Sequence, residues 1–289
     1  MSTRTMKNKS EKWTTMKRST QIINIASYVI LIVGSFAMIA PLVWMLSTAL
    51  KKDQFSIYNT ALFSELYFSN FVTVFKTIPL TEGFKNSLIV AVPSIVVGSL
   101  VSAFAAYAFA KIDFKFKEIL FVLLLGVIMV PFPVIMIPQY YIFTDLNWIG
   151  TLLPLIIPKM LGNIMMIFFL RQFMKGIPDN LIESAKIDGA SHFRIFFSII
   201  LPLVKPALAA QMILWFMGVW NDYLAPNLFS AATPTLPVVI ASLVSFTDTR
   251  TETHLNMAAS IISTLPVVVV FAIFQRQIID SVMLSGSKD

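Results

Sequence analysis

The chain has 289 residues, 57% of them apolar and 13% charged, against about 45–50% and about 25% in soluble domains, which excludes a water-soluble globule. It contains no Cys, so disulfide frameworks, zinc ribbons, thiol nucleophiles and iron–sulfur clusters are excluded too. The net charge of +7 would raise nucleic acid as a partner of a soluble protein, but the position of the charge argues for a membrane surface instead. Residues 1–21 hold Arg4, Lys7, Lys9, Lys12, Lys17 and Arg18 against Glu11 alone, directly before an apolar run from Ile22 to Leu50. That order reads as a cytoplasmic anchor flank and not as an RNA-binding tail. The run also exceeds the about 7–15 apolar residues of a cleaved leader and lacks a clear small-residue cleavage site, so it is expected to stay in the mature protein.

About 20 apolar residues cross a bilayer as a helix, and six stretches qualify, near 23–49, 86–109, 118–137, 151–173, 204–227 and 257–279. Their continuous apolarity favours helices over the alternating, shorter strands of a barrel. With the N-terminus inside, Lys51, Lys52, Lys76, Lys85 and Arg250 fall outside and Lys159 falls within a span. The other Lys and Arg residues lie on the inner side, which predicts both termini in the cytoplasm. The expected organisation is a basic tail (1–21), a six-span unit (22–280) and a short tail (281–289).

Within the spans, Pro131, Pro133 and Pro138 predict a kinked third helix or a flexible gate. Asn163 and Gln211 read as glue between helices, such bonds being worth about 0.6 kcal/mol each. Lys159 and Asp222 are placed at similar depth near the outer ends of spans four and five. They can pair, or Lys159 can snorkel outward while Asp222 sits at an aqueous rim beside Trp220 and Tyr223. Two outer segments, 51–85 and 228–256, are long enough to fold, the second carrying Pro234, Pro237, Asp248, Glu252 and His254.

The inner loop 174–203 has helix signals of its own. Asn180 followed by Glu183 resembles a capping box, and Asp179 adds charge at the positive end of the helix dipole. Leu181, Ile182 and Ala185 then share a face, and Gly189 can end the helix in a left-handed conformation. Ser191 can cap a second helix in which Phe193, Ile195, Phe196, Phe197, Ile199 and Ile200 run toward Pro202. Such a helix pair either lies on lipid headgroups or enters a groove on another protein.

The run Glu183-Ser184-Ala185, then Asp188-Gly189-Ala190, then Ile200-Leu201-Pro202 and Lys205-Pro206-Ala207, resembles the signature of the membrane subunits of binding-protein-dependent ATP-binding-cassette importers. More narrowly it is similar to their maltose-type carbohydrate branch. Leu170-Arg171-Gln172-Phe173, Lys85-Asn86-Ser87 and Trp220-Asn221-Asp222-Tyr223 agree in order and spacing, and the weak tail likeness covers Leu284 to Lys288. Ser184 departs from the pattern's Ala but is small enough to keep close packing.

The resemblance implies an all-α membrane protein with the type I importer architecture, acting as half of a translocation pore in a bacterial or archaeal plasma membrane. It implies as partners a second permease subunit, two ATPase subunits and an extracytoplasmic solute-binding protein. The loop would enter a cleft on an ATPase, with Glu183 as a polar contact, Ala185 packed tightly and Gly189 setting the bend. Asn221 and Asp222 would line the sugar pathway, with Trp220 and Tyr223 offering ring faces. No G-x-x-x-x-G-K-[ST] phosphate loop occurs, so ATP and Mg are expected on the ATPases and no cofactor on this chain. No catalytic set can be assembled on one membrane face, and His192 and His254 lie too far apart in this topology to share a metal. The competing reading is an ion-coupled carrier or channel working without an ATPase, or an importer permease for a solute such as glycerol phosphate.

Overall fold

The computed structural model describes residues 3–52, 61–246 and 252–286, and no strand occurs among them. Asp248 and the last three residues, which belong to the outer-segment and tail readings, lie outside the described residues. The basic tail and the first span form one helix, α1 (Thr3–Ala49). Asn70, on the short α2 (Ser69–Thr77), satisfies carbonyls where α1 ends: its Nδ2 donates to Ala49 O at 2.8 Å and Lys51 O at 2.7 Å.

The second span, α3 (Leu80–Lys111), begins earlier than predicted and is the axis of the molecule. Small residues recur along its buried face at Gly83, Ser87, Ala91, Ser94, Gly98, Ser102 and Ala106, which lets neighbouring backbones come close. The approach is tightest at Gly98, where a Cβ would stand 2.4 Å from Lys159 O and 2.5 Å from the Trp215 ring.

The third span differs from expectation. In place of one kinked helix there are two, α4 (Lys117–Ile128) and α5 (Phe132–Asp145), which meet at 96°. Pro131 (φ −69°, ψ 142°) is extended; it offers no N–H and pushes the preceding residue out of helical geometry. The fourth span is also interrupted. α6 (Leu153–Met160) and α7 (Ile164–Lys175) are separated by Gly162 at φ +118°.

The fifth span lies earlier in the chain than predicted. After the loop helix α8 (Asn180–Ile187), α9 (His192–Ile195) runs through a π-helical turn, Phe196–Ile200, into α10 (Leu201–Trp220) without a gap. In a regular helix Pro202 would clash with the carbonyl four residues back, and the wider π turn relieves that. The span is therefore His192–Trp220, not 204–227. Two short helices, α11 (Leu224–Phe229) and α12 (Leu236–Phe246), precede the last, α13 (Thr253–Gly286).

Among the described residues five helices are long and apolar enough to cross a membrane, and the bent α4–α5 pair makes a sixth crossing if counted as one. α3 packs on α6, α7, α10 and α12, whereas α1 leans on α13. The segment leading into α12 is tied to α3. Asn86 Nδ2 donates to Pro234 O at 3.0 Å, and Leu236 N donates to Ser87 Oγ at 2.9 Å.

Candidate functional site

The loop joining α7 to α9 is a folded lever. α8 begins with Ile182 N and Glu183 N donating to Asp179 O at 2.9 and 3.0 Å. Asn180 is its first helical residue, so the predicted capping box does not form, and the N-cap Asp179 makes no side-chain cap bond. The Asp179 carboxylate is taken elsewhere: Lys111 Nζ, at the end of α3, donates to Asp179 Oδ1 at 2.6 Å and to Ile177 O at 2.6 Å. A charge-assisted bond at such a distance outweighs a cap to a neutral N–H.

The hydrogen bond and charge from Lys111 hold the Asp179 carboxyl below its ordinary range. The clasp is thus present at neutral pH and is lost only as pH falls through that lowered value. Lys111→Met should free the start of the loop. Hydrogen exchange of amides 179–187 in detergent is expected to rise severalfold, with Lys111→Arg giving a smaller rise; equal protection in Lys111→Met and wild type would show that the clasp holds nothing.

The far end of α8 closes as a Schellman motif. Gly189 N donates to Lys186 O at 3.0 Å and Ala190 N to Ala185 O at 2.9 Å, with Gly189 at φ +78°. Ser191 Oγ accepts from Arg194 N at 3.4 Å, starting α9 as its sequence indicates. Ile182 is buried, and Ala185, Ala190 and Leu201 pack partly against the same core. Glu183, Ser184, Asp188 and Pro202 are exposed. Leu181 does not join Ile182 and Ala185 in burial; it faces outward with Ile187, which is 87% exposed.

Aromatic contacts and a second clasp fix the lever to the spans. Phe104 of α3 stacks on Phe193 at 5.1 Å, and the Tyr107 hydroxyl lies 3.1 Å from His192 Nδ1. Arg171, buried in α7, donates to Phe109 O at 3.1 Å and to Glu118 Oε1 at 2.6 Å, and its guanidinium lies 3.9 Å from the Phe121 ring centre. Sequence reasoning missed the roles of Lys111 and Arg171. A base closing an apolar span reads as a flanking charge, and its partners come from distant stretches.

At the other polar cluster, Lys159 Nζ lies 3.5 Å from Asp222 Oδ2, both side chains being about one-quarter exposed. Asp222 was expected within a helix, yet α10 ends at Trp220 and Asp222 sits in the turn beyond it. There its Oδ1 accepts from Ala225 N at 3.3 Å. Lys159 is in the last turn of α6, so two helix ends bring these groups together. Trp220 offers no ring face to a pathway. It is 1% exposed, lies against Phe84 and Phe216, and donates Nε1 to Ser263 O at 3.0 Å. Asn221 and Tyr223 are exposed, Asn221 Nδ2 donating to Met217 O.

Residues 98–283, which span the loop, both clasps and the polar pair, match the family of binding-protein-dependent transport system inner membrane components. The chain belongs to this family. As an inner membrane component it is a multi-pass transporter subunit and not an enzyme, and membership implies partner subunits that hydrolyse ATP and deliver solute.

Relatives agree in extent. The chain is 33% identical over 228 residues to the arabinooligosaccharides transport system permease protein AraQ of Halalkalibacterium halodurans, covering 78% of this chain and 81% of that one. It is 30% identical over 272 residues to the lactose transport system permease protein LacG of Rhizobium radiobacter, covering 93% and 98%. The fold is shared with a bacterial ABC transporter involved in import of the acidic polysaccharide alginate, at a TM-score of 0.76, 20% identity and coverage of 90% and 97%.

Proposed function

We propose that the chain forms half of the translocation pathway of an ATP-driven carbohydrate importer, with both termini and the α8 loop in the cytoplasm. The observation that carries the carbohydrate assignment is that permeases named for arabinooligosaccharides and lactose align along most of this chain. The second permease subunit, two ATPases binding ATP and Mg, and an extracytoplasmic binding protein complete the machine; this chain holds no cofactor.

In this reading the lever is the handle. Glu183, Ser184, Asp188 and Pro202, with Leu181 and Ile187, meet the ATPase, while Ala185, Ala190 and Leu201 seat the helix on the spans and Gly189 sets its bend. Support comes from the geometry: α8 shows apolar and acidic groups outward, yet is anchored inward by Ile182 and the Lys111–Asp179 pair. Closure of the ATPase dimer moves the lever, and Lys111 and Arg171 pass the motion to α3 and α4. Coupling requires the ATP-bound motor to favour one pore state over the other. Asn221, Asp222 and Tyr223, beside Lys159, form the outer mouth of the pathway.

The test is the assembled complex in nanodiscs. ATP hydrolysis should rise severalfold with binding protein loaded with an arabinose oligosaccharide, lactose or maltose. Sugar uptake by the purified chain alone, driven by an ion gradient, would overturn the proposal.

A further inference from the structure

The short helix α2, between the first two spans, divides its surface three ways. At about 100° per residue, Asn70, Val74 and the half-buried Phe71 share one side, which packs inward. The next side carries Phe68, just ahead of the helix, with Val72 and Phe75, and these are 64%, 58% and 50% exposed. The remaining side is polar and exposed, with Ser69, Thr73, Lys76 and Thr77. A helix that rests on a protein core in water needs two sides only, apolar inward and polar outward. The third side of α2, apolar and uncovered among the described residues, calls for a second apolar phase.

The position of α2 says which phase is at hand. Asn70 holds the Ala49 and Lys51 carbonyls where α1 ends, and Tyr67 N donates to Leu50 O at 2.8 Å. α3 begins at Leu80, shortly after α2 ends at Thr77. Val74, Ile78 and Leu80 are buried in one cluster with Ala49 of α1 and Leu255 of α13. The helix is thus pinned level with the ends of membrane spans. It lies at the end of α3 opposite the α8 loop, since Lys111 at the other end holds Asp179. α1 is apolar and exposed through Leu42, Trp44 and Leu46, so an apolar surface runs along the span up to the level of α2.

We infer that α2 is an interfacial helix seated in the lipid headgroup layer on the side away from α8. Phe68, Val72 and Phe75 enter the upper acyl region, Lys76 at the edge of the stripe extends its ammonium to lipid phosphate, and Ser69, Thr73 and Thr77 face water. The stripe lies between the packed side and the wet side, which is where a hydrocarbon–water boundary cuts a helix resting on the rim of a bundle. Its aromatic content, with Tyr67 beside it, suits that layer. The bilayer then fixes the height of α1 and α3 at one end while the lever is free to move at the other.

The chain contains no Cys, so single spin labels can be placed by substitution. The importer, assembled with cysteine-free partner subunits in phosphatidylethanolamine–phosphatidylglycerol liposomes, is labelled through Phe68→Cys, Val72→Cys or Phe75→Cys, and for contrast through Thr73→Cys or Thr77→Cys. Collisions with oxygen, which concentrates in hydrocarbon, should exceed those with a water-soluble nickel chelate severalfold at the first three positions, and the order should reverse at the two threonines. Dominance of the chelate at the first three would put the stripe in water, and exclusion of both reagents there would put it under a partner protein; either result overturns the inference. Adding the solute-binding protein should change none of these values, and loss of oxygen collisions on its addition would make the stripe a docking site for that protein instead. The readout needs neither solute nor nucleotide, so it stands or falls apart from the carbohydrate reading.

Discussion

Replacing Gly189 by proline is expected to abolish solute-stimulated ATP hydrolysis by the assembled importer while leaving membrane insertion intact. Gly189 sits at φ +78°, and the proline ring locks φ near about −65°. The substitution also removes the N–H that donates to Lys186 O at 3.0 Å, so α8 loses half of its Schellman closure and its angle to α9 together. Alanine makes an informative contrast. Nothing lies within 4 Å of where its Cβ would stand, so Gly189→Ala carries only the left-handed backbone penalty, about 1–2 kcal/mol. Coupling should then be weakened but measurable. The order wild type, alanine, proline in stimulated ATPase rate would place the effect in backbone conformation. Normal stimulation in Gly189→Pro would remove the lever from the mechanism.

Arg171→Met is expected to lower the thermal stability of the chain more than the loss of an exposed ion pair such as Lys117–Asp113. The guanidinium makes three contacts at once: Phe109 O, the Glu118 carboxylate and the Phe121 ring. Removing one partner of a buried pair can cost about 3–5 kcal/mol. Here Glu118 is 67% exposed and regains water when its partner is lost, which sets the loss nearer to about 2 kcal/mol. At about 2–4 °C per kcal/mol for chains of this size, the midpoint in detergent should fall by about 4–8 °C. Arg171→Lys should recover little, because an ammonium lacks the planar fork that reaches a carbonyl and a carboxylate while lying on a ring. An unchanged midpoint in Arg171→Met would show that α3, α4 and α7 are held together by apolar packing alone.

Of these two features the Gly189 bend was legible in the sequence, and the Arg171 clasp was not, because its partners Phe109, Glu118 and Phe121 come from other stretches of the chain. Gly189 as the bend and Ser191 as the cap were readable because turn and cap chemistry is local: the residues that need each other are within five positions. The spans were readable for a similar reason, since roughly 20 apolar residues declare a crossing whatever surrounds them. Local signals failed where a distant group competed. Asn180 and Glu183 looked like a capping box with Asp179 adding charge, but the helix begins one position early, at Asn180, and Lys111, from another span, takes the Asp179 carboxylate. Pro202 looked like a stop, but a π turn upstream lets the helix run through it.

By itself the sequence determined the class of molecule and the approximate place of most of its apolar stretches. These depend on composition and short-range order, which folding does not alter. Only the tertiary structure decided which side chains meet. It spent Trp220 on packing and Asn163 on capping, and it brought Lys159 to Asp222 at two helix ends. Those outcomes depend on how close helices approach, and that was set by small residues such as Gly98 acting against backbone far away in the chain.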